Sequence, residues 1–229
     1  MPNPIPQIRR YTEWLATHRG LFFDDYPALW RWSVTDLEAF WGSIDAYFSL
    51  NMLPEGGRVL AANTMPGTRW FAGGRANYAR QVFRHVQPAQ AAGLPALIAR
   101  NEKGRATEIG WPELQRRVAA LALHLRAQGV QRGDRVAAYL PNIPETAIAF
   151  LAVVSIGAVW SVCAPDMGTN AVLDRFRQIE PVALIACDGV TYGQRDIDRL
   201  DVLAELRAAL PSVRHVVLHT NLAETPGAK

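Results

Sequence analysis

Lysine is nearly absent from this 229-residue chain: of 24 basic residues only Lys103 and Lys229 are lysines, and the rest are arginines. These are scattered, and 21 acidic residues leave a net charge of only +3. Nucleic-acid recognition needs basic residues clustered on one surface, which this pattern excludes. Cysteine is scarce too, with Cys163 and Cys187 alone. Two lone thiols exclude a disulfide framework and fit a reducing, cytoplasmic setting. They also lack the CxxC spacing and histidine neighbours of a metal site. The longest apolar run, residues 147–164, is interrupted by Ser155, Gly157 and Ser161. A spanning helix needs about twenty apolar residues, so a buried helix stopped by Gly157 and followed by a buried strand is the better reading. The first residues, Met1-Pro-Asn-Pro-Ile-Pro, offer neither the basic nor the apolar part of a secretory signal.

What is abundant is short apolar segments. Residues 136–140, 159–163, 183–187 and 213–219 are runs of Val, Ala, Leu, Ile and aromatics with little polar alternation. Such runs are strands buried on both faces. The intervening lengths suit crossover helices, so the strands are expected to be parallel with right-handed connections. Ligands gather at the carboxyl ends of such strands, here Pro141-Asn142, Ala164-Pro165-Asp166 and Asp188-Gly189. Helices are expected from Gly110-Trp-Pro-Glu-Leu114 onward, with Pro112 in its first turn, Leu114, Val118, Leu121 and Leu125 on one face and Gly129 closing it, and around Leu173, Phe176 and Ile179, which face the sheet. Asn142 with Glu145 reads as the cap of the helix between the first two strands. Residues 96–109 read as a hairpin around Asn101-Glu-Lys-Gly104. The predicted fold class is α/β, a mostly parallel sheet with flanking helices.

The N-terminal stretch is different. Tyr11, Trp14, Phe22, Phe23, Tyr26, Trp30 and Trp32 crowd it, too many aromatics for a disordered tail, and it is expected to wrap onto a larger body. Ser33 is expected to head a helix carrying Leu37, Phe40, Trp41, Ile44 and Phe48 on one face, with Thr35 and Glu38 as its capping box. The glycines of Met65-Pro-Gly-Thr-Arg-Trp-Phe-Ala-Gly-Gly-Arg-Ala-Asn-Tyr-Ala79 lack the GxxxxGK[ST] spacing of a phosphate loop. They read as an irregular loop leading into a helix from Asn77 and Tyr78 to His85.

As a whole string, that segment resembles the entry of acyl-CoA synthetases of the acetyl-CoA synthetase branch of adenylate-forming enzymes. Residues 33–41 resemble the N-terminal cap of the same branch. Gly133-Asp-Arg-Val with Leu140-Pro-Asn142, residues 159–168 and residues 174–181 continue the likeness. The wording is most like that of the acetoacetate-activating members. The resemblance implies a cap over residues 1–90 and the first part of an AMP-binding domain over 91–229. It also implies an ATP-dependent acid–thiol ligase that uses ATP, magnesium and CoA. Its phosphate loop, ribose-binding aspartate, hinge and catalytic lysine have no counterpart here; neither Lys103 nor Lys229 fits. The chain therefore reads as about the first third of such a ligase, inactive and self-associating by itself. Two other readings stand beside it: a fragment of an acetyl- or propionyl-CoA ligase, and a non-catalytic α/β docking module.

The resemblance also implies one local site. The loop after the third strand contacts the phosphates of CoA in that branch, and its counterpart here includes Thr191, Tyr192, Gly193, Gln194 and Arg195. Thr191 and Gln194 stand where arginines are expected, and Arg195 supplies charge from the next position. The alternative is a solvated turn with Arg195 starting the following helix. No catalytic residue and no metal ligand are assigned.

Overall fold

The computed structural model describes residues 6–222. The chain divides into two compact units, one ending at Ala76 and the other beginning at Asn77. This break reflects packing density, whereas the boundary at residue 90 read from the sequence follows the cap of the resembling enzymes.

The first unit contains α1 (Gln7–Arg19), α2 (Tyr26–Thr35), α3 (Leu37–Tyr47) and an antiparallel pair, β1 (Leu60–Ala62) with β2 (Arg69–Trp70). Its aromatics build a core of their own. Tyr11, Leu15 and Leu29 are buried, with Trp14, Trp32, Phe40, Ile44 and Tyr47 packed around them. The buried hydroxyls of Tyr11 and Ser43 hydrogen-bond, so the two polar groups in this core satisfy each other. Of the apolar face expected on the last helix, Phe40 and Ile44 enter the core, while Trp41 and Phe48 stay 42% and 37% exposed.

The expected helix start is corrected. Residues 33–35 end α2, where the Ser33 and Thr35 hydroxyls donate to carbonyls one turn back, at Trp30 and Arg31. The chain breaks at Asp36, whose carboxylate accepts the Ala39 N–H at 3.1 Å and caps α3. Glu38 does not fold back as a capping box. It accepts the Leu60 N–H and pairs with Arg58, fastening β1 to α3. Asp36 caps the helix with a carboxylate, which brings the negative charge a helix start favours, while the Thr35 hydroxyl is already donated to the Arg31 carbonyl of α2.

The second unit opens with α4 (Tyr78–Phe83), α5 (Val86–Ala91) and the hairpin β3 (Leu97–Arg100) with β4 (Ala106–Ile109). Helix α6 (Trp111–Ala127) and β5 (Arg135–Tyr139) follow, then α7 (Pro144–Ser155), β6 (Val159–Cys163), α8 (Thr169–Ile179) and β7 (Ala183–Cys187). A second hairpin, β8 (Gly189–Tyr192) with β9 (Arg195–Asp198), precedes α9 (Leu200–Ala209) and β10 (His215–His219). The four longer strands form one parallel sheet in the order β10-β7-β5-β6.

Alternation along the two central strands sends side chains to both faces. Val136, Ala138, Ile185 and Cys187 join Leu125, Ala149 and Val153 of α6 and α7 on one side. Ala137, Tyr139, Leu184 and Ala186 meet Val172, Phe176, Leu203 and Leu206 of α8 and α9 on the other. Alanines at alternate positions let the helices approach closely, and full burial of both faces explains the lack of polar alternation in the sequence.

Helix ends are closed as the local sequence dictates. Gly129, at φ +82°, turns the chain after α6, and Gly157, at φ +78°, does so after α7. Both sit in the left-handed region that glycine enters without strain. Arg135 closes α8 from outside: its Nε and Nη2 donate to the carbonyls of Ile179 and Glu180 at 2.6 and 3.1 Å. The expected Asn142 cap is absent. Ile143 stands at the cap position, Pro144 removes one donor from the first turn, and the Thr146 hydroxyl donates to the Pro141 carbonyl at 2.6 Å. Asn142 is exposed. Asn77 holds a capping role instead: it accepts the Arg80 N–H, and its amide donates to the last carbonyls of α7, at Val154 and Ser155.

Two outcomes follow for the fold. Asp36→Ala should destabilise the first unit by about 1 kcal/mol, whereas Thr35→Ala should cost under about 0.5 kcal/mol. Urea unfolding followed by tryptophan fluorescence separates the two. Among the described residues β10 has no strand on its outer side and Leu218 is 46% exposed. The chain should therefore self-associate as its concentration rises, measured by light scattering; a monomer throughout would count against the edge argument.

Candidate functional site

The strand order places its topological switch between β5 and β7, where connections leave to opposite sides of the sheet. The carboxyl edge there is built from three connected pieces. Tyr139, fully buried at the end of β5, donates its hydroxyl to the Pro165 carbonyl at 3.0 Å, tying the turn after β6 to the sheet. Burial raises the pKa of this phenol, so it remains a donor. Asp188, just after β7, takes the Asn221 and Leu222 N–H groups on one carboxylate oxygen at 2.7 and 3.0 Å. Its own N–H donates to the His219 carbonyl, and its carbonyl accepts the Arg199 N–H. One residue thus joins the exits of β7, β9 and β10. Gly189 follows because a side chain there would collide with the Ile197 carbonyl and with Leu222.

From this anchor the β8–β9 hairpin projects, and it contains all five residues singled out in the sequence. Thr191 and Tyr192 end β8, Gly193 and Gln194 form the turn, and Arg195 begins β9. Arg195 starts a strand, not the helix of the alternative reading. That helix, α9, begins only at Leu200, because Arg195–Asp198 first pairs back along β8 in full register. Gly193 and Gln194 both have positive φ, +56° and +65°, as a two-residue hairpin turn requires. Tyr192 is 66% exposed, and Arg195 is exposed beside it.

Across from this tip lies the β3–β4 turn. Gln194 donates its N–H to the Glu102 carboxylate at 3.1 Å and its side-chain amide to the Glu102 carbonyl at 2.8 Å. Lys103 Nζ reaches both oxygens of Asp196 at 2.8 and 2.7 Å, and Thr191 donates to the same carboxylate at 2.6 Å. Lys103 and then Thr191 hold the Asp196 carboxyl below its ordinary range. Sequence reasoning placed Lys103 in a hairpin turn but did not connect it to the site, and no local pattern links positions so far apart.

A concave feature lies beside β10, an open cleft of about 340 Å³ whose lining includes Leu140, Glu145, Ile148, Val217, Arg117 and His219. Arg117 and Glu145 pair at 2.7 Å, and His219 Nε2 lies 4.0 Å from the other carboxylate oxygen. Burial works to raise the Glu145 pKa, but Arg117, a backbone N–H and His219 outweigh it and hold it low. Of the three only Glu145 was singled out from sequence, and there as a capping partner of Asn142 and not as part of a cleft. Among the described residues no cluster of His, Cys, Asp and Glu has metal-ligating geometry, and no helix is long and apolar enough to cross a membrane.

The comparisons with known proteins agree with this architecture. Residues 84–228 match the family model of AMP-binding enzymes, and residues 26–82 match that of the acetyl-coenzyme A synthetase N-terminus. The chain belongs to the AMP-binding enzyme family, and its first unit carries the acetyl-coenzyme A synthetase type of N-terminal region. It is 38% identical to acetoacetyl-coenzyme A synthetase of Rhizobium meliloti over 90% of this chain and 30% of that protein. It is 33% identical to acetoacetyl-CoA synthetase of Macaca fascicularis over 93% of this chain and 31% of that one. The solved acetoacetyl-CoA synthetase from Streptomyces lividans superposes with a TM-score of 0.88 at 43% identity, covering 96% of this chain and 34% of its own. The chain thus spans about 30% of the length of the curated relatives it matches.

Cys163 and Cys187, at the ends of β6 and β7, are both buried and free. Burial raises both thiols, Cys187 from 9.0 to about 11. An unfolded chain releases this proton first as pH rises, so the contribution to stability is complete below about pH 9 and is lost through pH 11. Denaturation midpoints across pH 8–11 should fall accordingly, and Cys187→Ala should flatten the fall. A thiol reagent at pH 8 should label the native chain far more slowly than the unfolded one.

Proposed function

We propose that this chain is the N-terminal part of an acetoacetate–CoA ligase. In the reaction, acetoacetate attacks the α-phosphorus of ATP to give an acyl-adenylate and pyrophosphate. The thiol of CoA then displaces AMP, leaving acetoacetyl-CoA. The observation that carries this reading is the ordered pair of family models over residues 26–82 and 84–228, together with identity to acetoacetyl-CoA synthetases along nine-tenths of the chain. The same identity favours acetoacetate over the acetate and propionate alternatives.

In this reading the α/β unit supplies scaffold and one ligand contact, not the nucleotide chemistry. The β8–β9 hairpin would meet the phosphates of CoA: Arg195 offers a guanidinium, Gly193 and Gln194 leave the turn backbone open, and the exposed Tyr192 ring offers a flat apolar face. ATP and magnesium would be held by segments of the ligase outside this chain, and no step is assigned to residues here.

Two measurements test the reading. The 229-residue chain should give no acetoacetate-dependent exchange of pyrophosphate into ATP, and exchange above background would overturn its assignment as a part without the adenylating groups. Substituted for the matching N-terminal segment of the Streptomyces lividans relative, it should support acetoacetyl-CoA formation. A folded but inactive chimaera would overturn the proposal.

A further inference from the structure

Resting on the reading of the β8–β9 hairpin as a CoA contact, we infer that Glu102 and Lys103 are positioning residues that clasp the hairpin tip and leave Arg195 free for phosphate. Four observations carry this. Gln194 occupies a left-handed conformation, φ +65°, that is unfavourable for a residue with a Cβ. Both its backbone and side-chain donors are taken by Glu102, at 3.1 and 2.8 Å, so the turn is held in that conformation from the opposite hairpin. Lys103 grips both oxygens of Asp196, and Thr191, directly across from Asp196 in the β8–β9 register, donates to the same carboxylate. The two strands are thereby tied together at the residues flanking the tip. Each hairpin has only two strands, and such ribbons are marginally stable unless something packs against them. Each serves the other as that support.

The clasp also decides the charge that a ligand meets. Asp196 is the residue after Arg195, and an unpaired carboxylate there would offset the arginine. Lys103 neutralises it, and the Glu102 carboxylate faces the Gln194 N–H. Arg195 makes no ion pair among the described residues. The tip therefore presents the Arg195 guanidinium without a carboxylate partner beside the exposed Tyr192, an arrangement suited to a phosphate-bearing ligand with an aromatic base, as CoA is.

The test uses the intact chain with Lys103→Ala, Lys103→Arg and Arg195→Ala. Amide hydrogen exchange reports hairpin order at residues 189–198, and calorimetric titration with CoA reports affinity. Lys103→Ala should speed exchange across the hairpin and weaken CoA about threefold to fivefold, the scale of one half-exposed ion pair. Lys103→Arg should recover most of both. Arg195→Ala should weaken CoA while leaving hairpin exchange unchanged. If Arg195→Ala weakens CoA but Lys103→Ala changes neither quantity, the positioning role is overturned and the CoA reading stands. If Lys103→Ala loosens the hairpin while CoA affinity is indifferent to both substitutions, or CoA does not bind at all, the CoA reading is overturned and the role in ligand binding with it.

Discussion

Burial of β5 and β7 on both faces is the constraint on which the second unit depends. Each strand sends alternate residues into two separate cores, so neither face can carry a polar group without a partner inside the sheet. Tyr139 shows how narrow the allowance is: its ring fills the α8–α9 side, and its hydroxyl is accommodated only because the Pro165 carbonyl is within reach. Arg135 sits where β5 enters the sheet, and its guanidinium is spent on the open carbonyls of α8. With the interior so committed, variable chemistry is confined to the strand ends. The carboxyl ends are therefore where the β8–β9 hairpin projects and where Leu140 and His219 border the cleft beside β10.

That edge is organised by backbone hydrogen bonds as much as by side chains. Asp188 satisfies amides from the chain after β10 and exchanges backbone bonds with β10 and the start of α9. Gly189 then permits the Ile197 carbonyl and Leu222 to approach more closely than any side chain would allow. The hairpin is consequently rooted rigidly at its base, while its tip relies on polar contacts with residues in solvent. Such contacts are individually weak, and the Lys103–Asp196 pair is about half-exposed at both ends. Their effect is geometric: they select one arrangement of a tip that its own two strands would leave loosely defined.

How much of this was legible in sequence follows from the same physics. The central strands β5 and β7 were readable because two-sided burial forces unbroken apolar runs. The edge strands β6 and β10 carry similar runs but leave Val159, Val162 and Leu218 exposed, so the expectation of burial on both faces is corrected for them. The bounds at 159–163 and 183–187 coincide with β6 and β7. Gly129 and Gly157 were readable because a left-handed helix end favours glycine. The β8–β9 hairpin was not foreseen as a hairpin. Its turn, Gly193-Gln194, lacks the common Asn-Gly signature, and the φ of Gln194 is sustained by Glu102, a partner invisible in local sequence. The start of α3 was placed three residues early, at Ser33 instead of Asp36, for a related reason. Apolar residues recur at helical spacing straight through Asp36, and the break shows only in which way the side chains bond, Thr35 back to the Arg31 carbonyl and Asp36 forward to the Ala39 amide. Local rules found elements; choices among equivalent local partners were made by tertiary contact.

The two units use their aromatics in opposite ways, and this bears on how a chain of this kind divides its labour. In the first unit aromatic rings are the core itself, with Tyr11 meeting Trp14, Phe40 and Tyr47 at centroid distances of 5.1 to 6.5 Å. Three short helices offer little surface to bury, and large rings supply more contact area per residue than aliphatic side chains do. In the second unit, two helical layers already cover the sheet, so the interior is filled by Val, Leu, Ile and Ala, and Tyr139 and Phe176 are the aromatics fully inside it. Tyr192 at the hairpin tip belongs to neither core. A large apolar ring held two-thirds exposed on a turn clasped from outside contributes little to folding. Its position is not set by the packing of the sheet, and it fits the ligand contact proposed above for the hairpin tip.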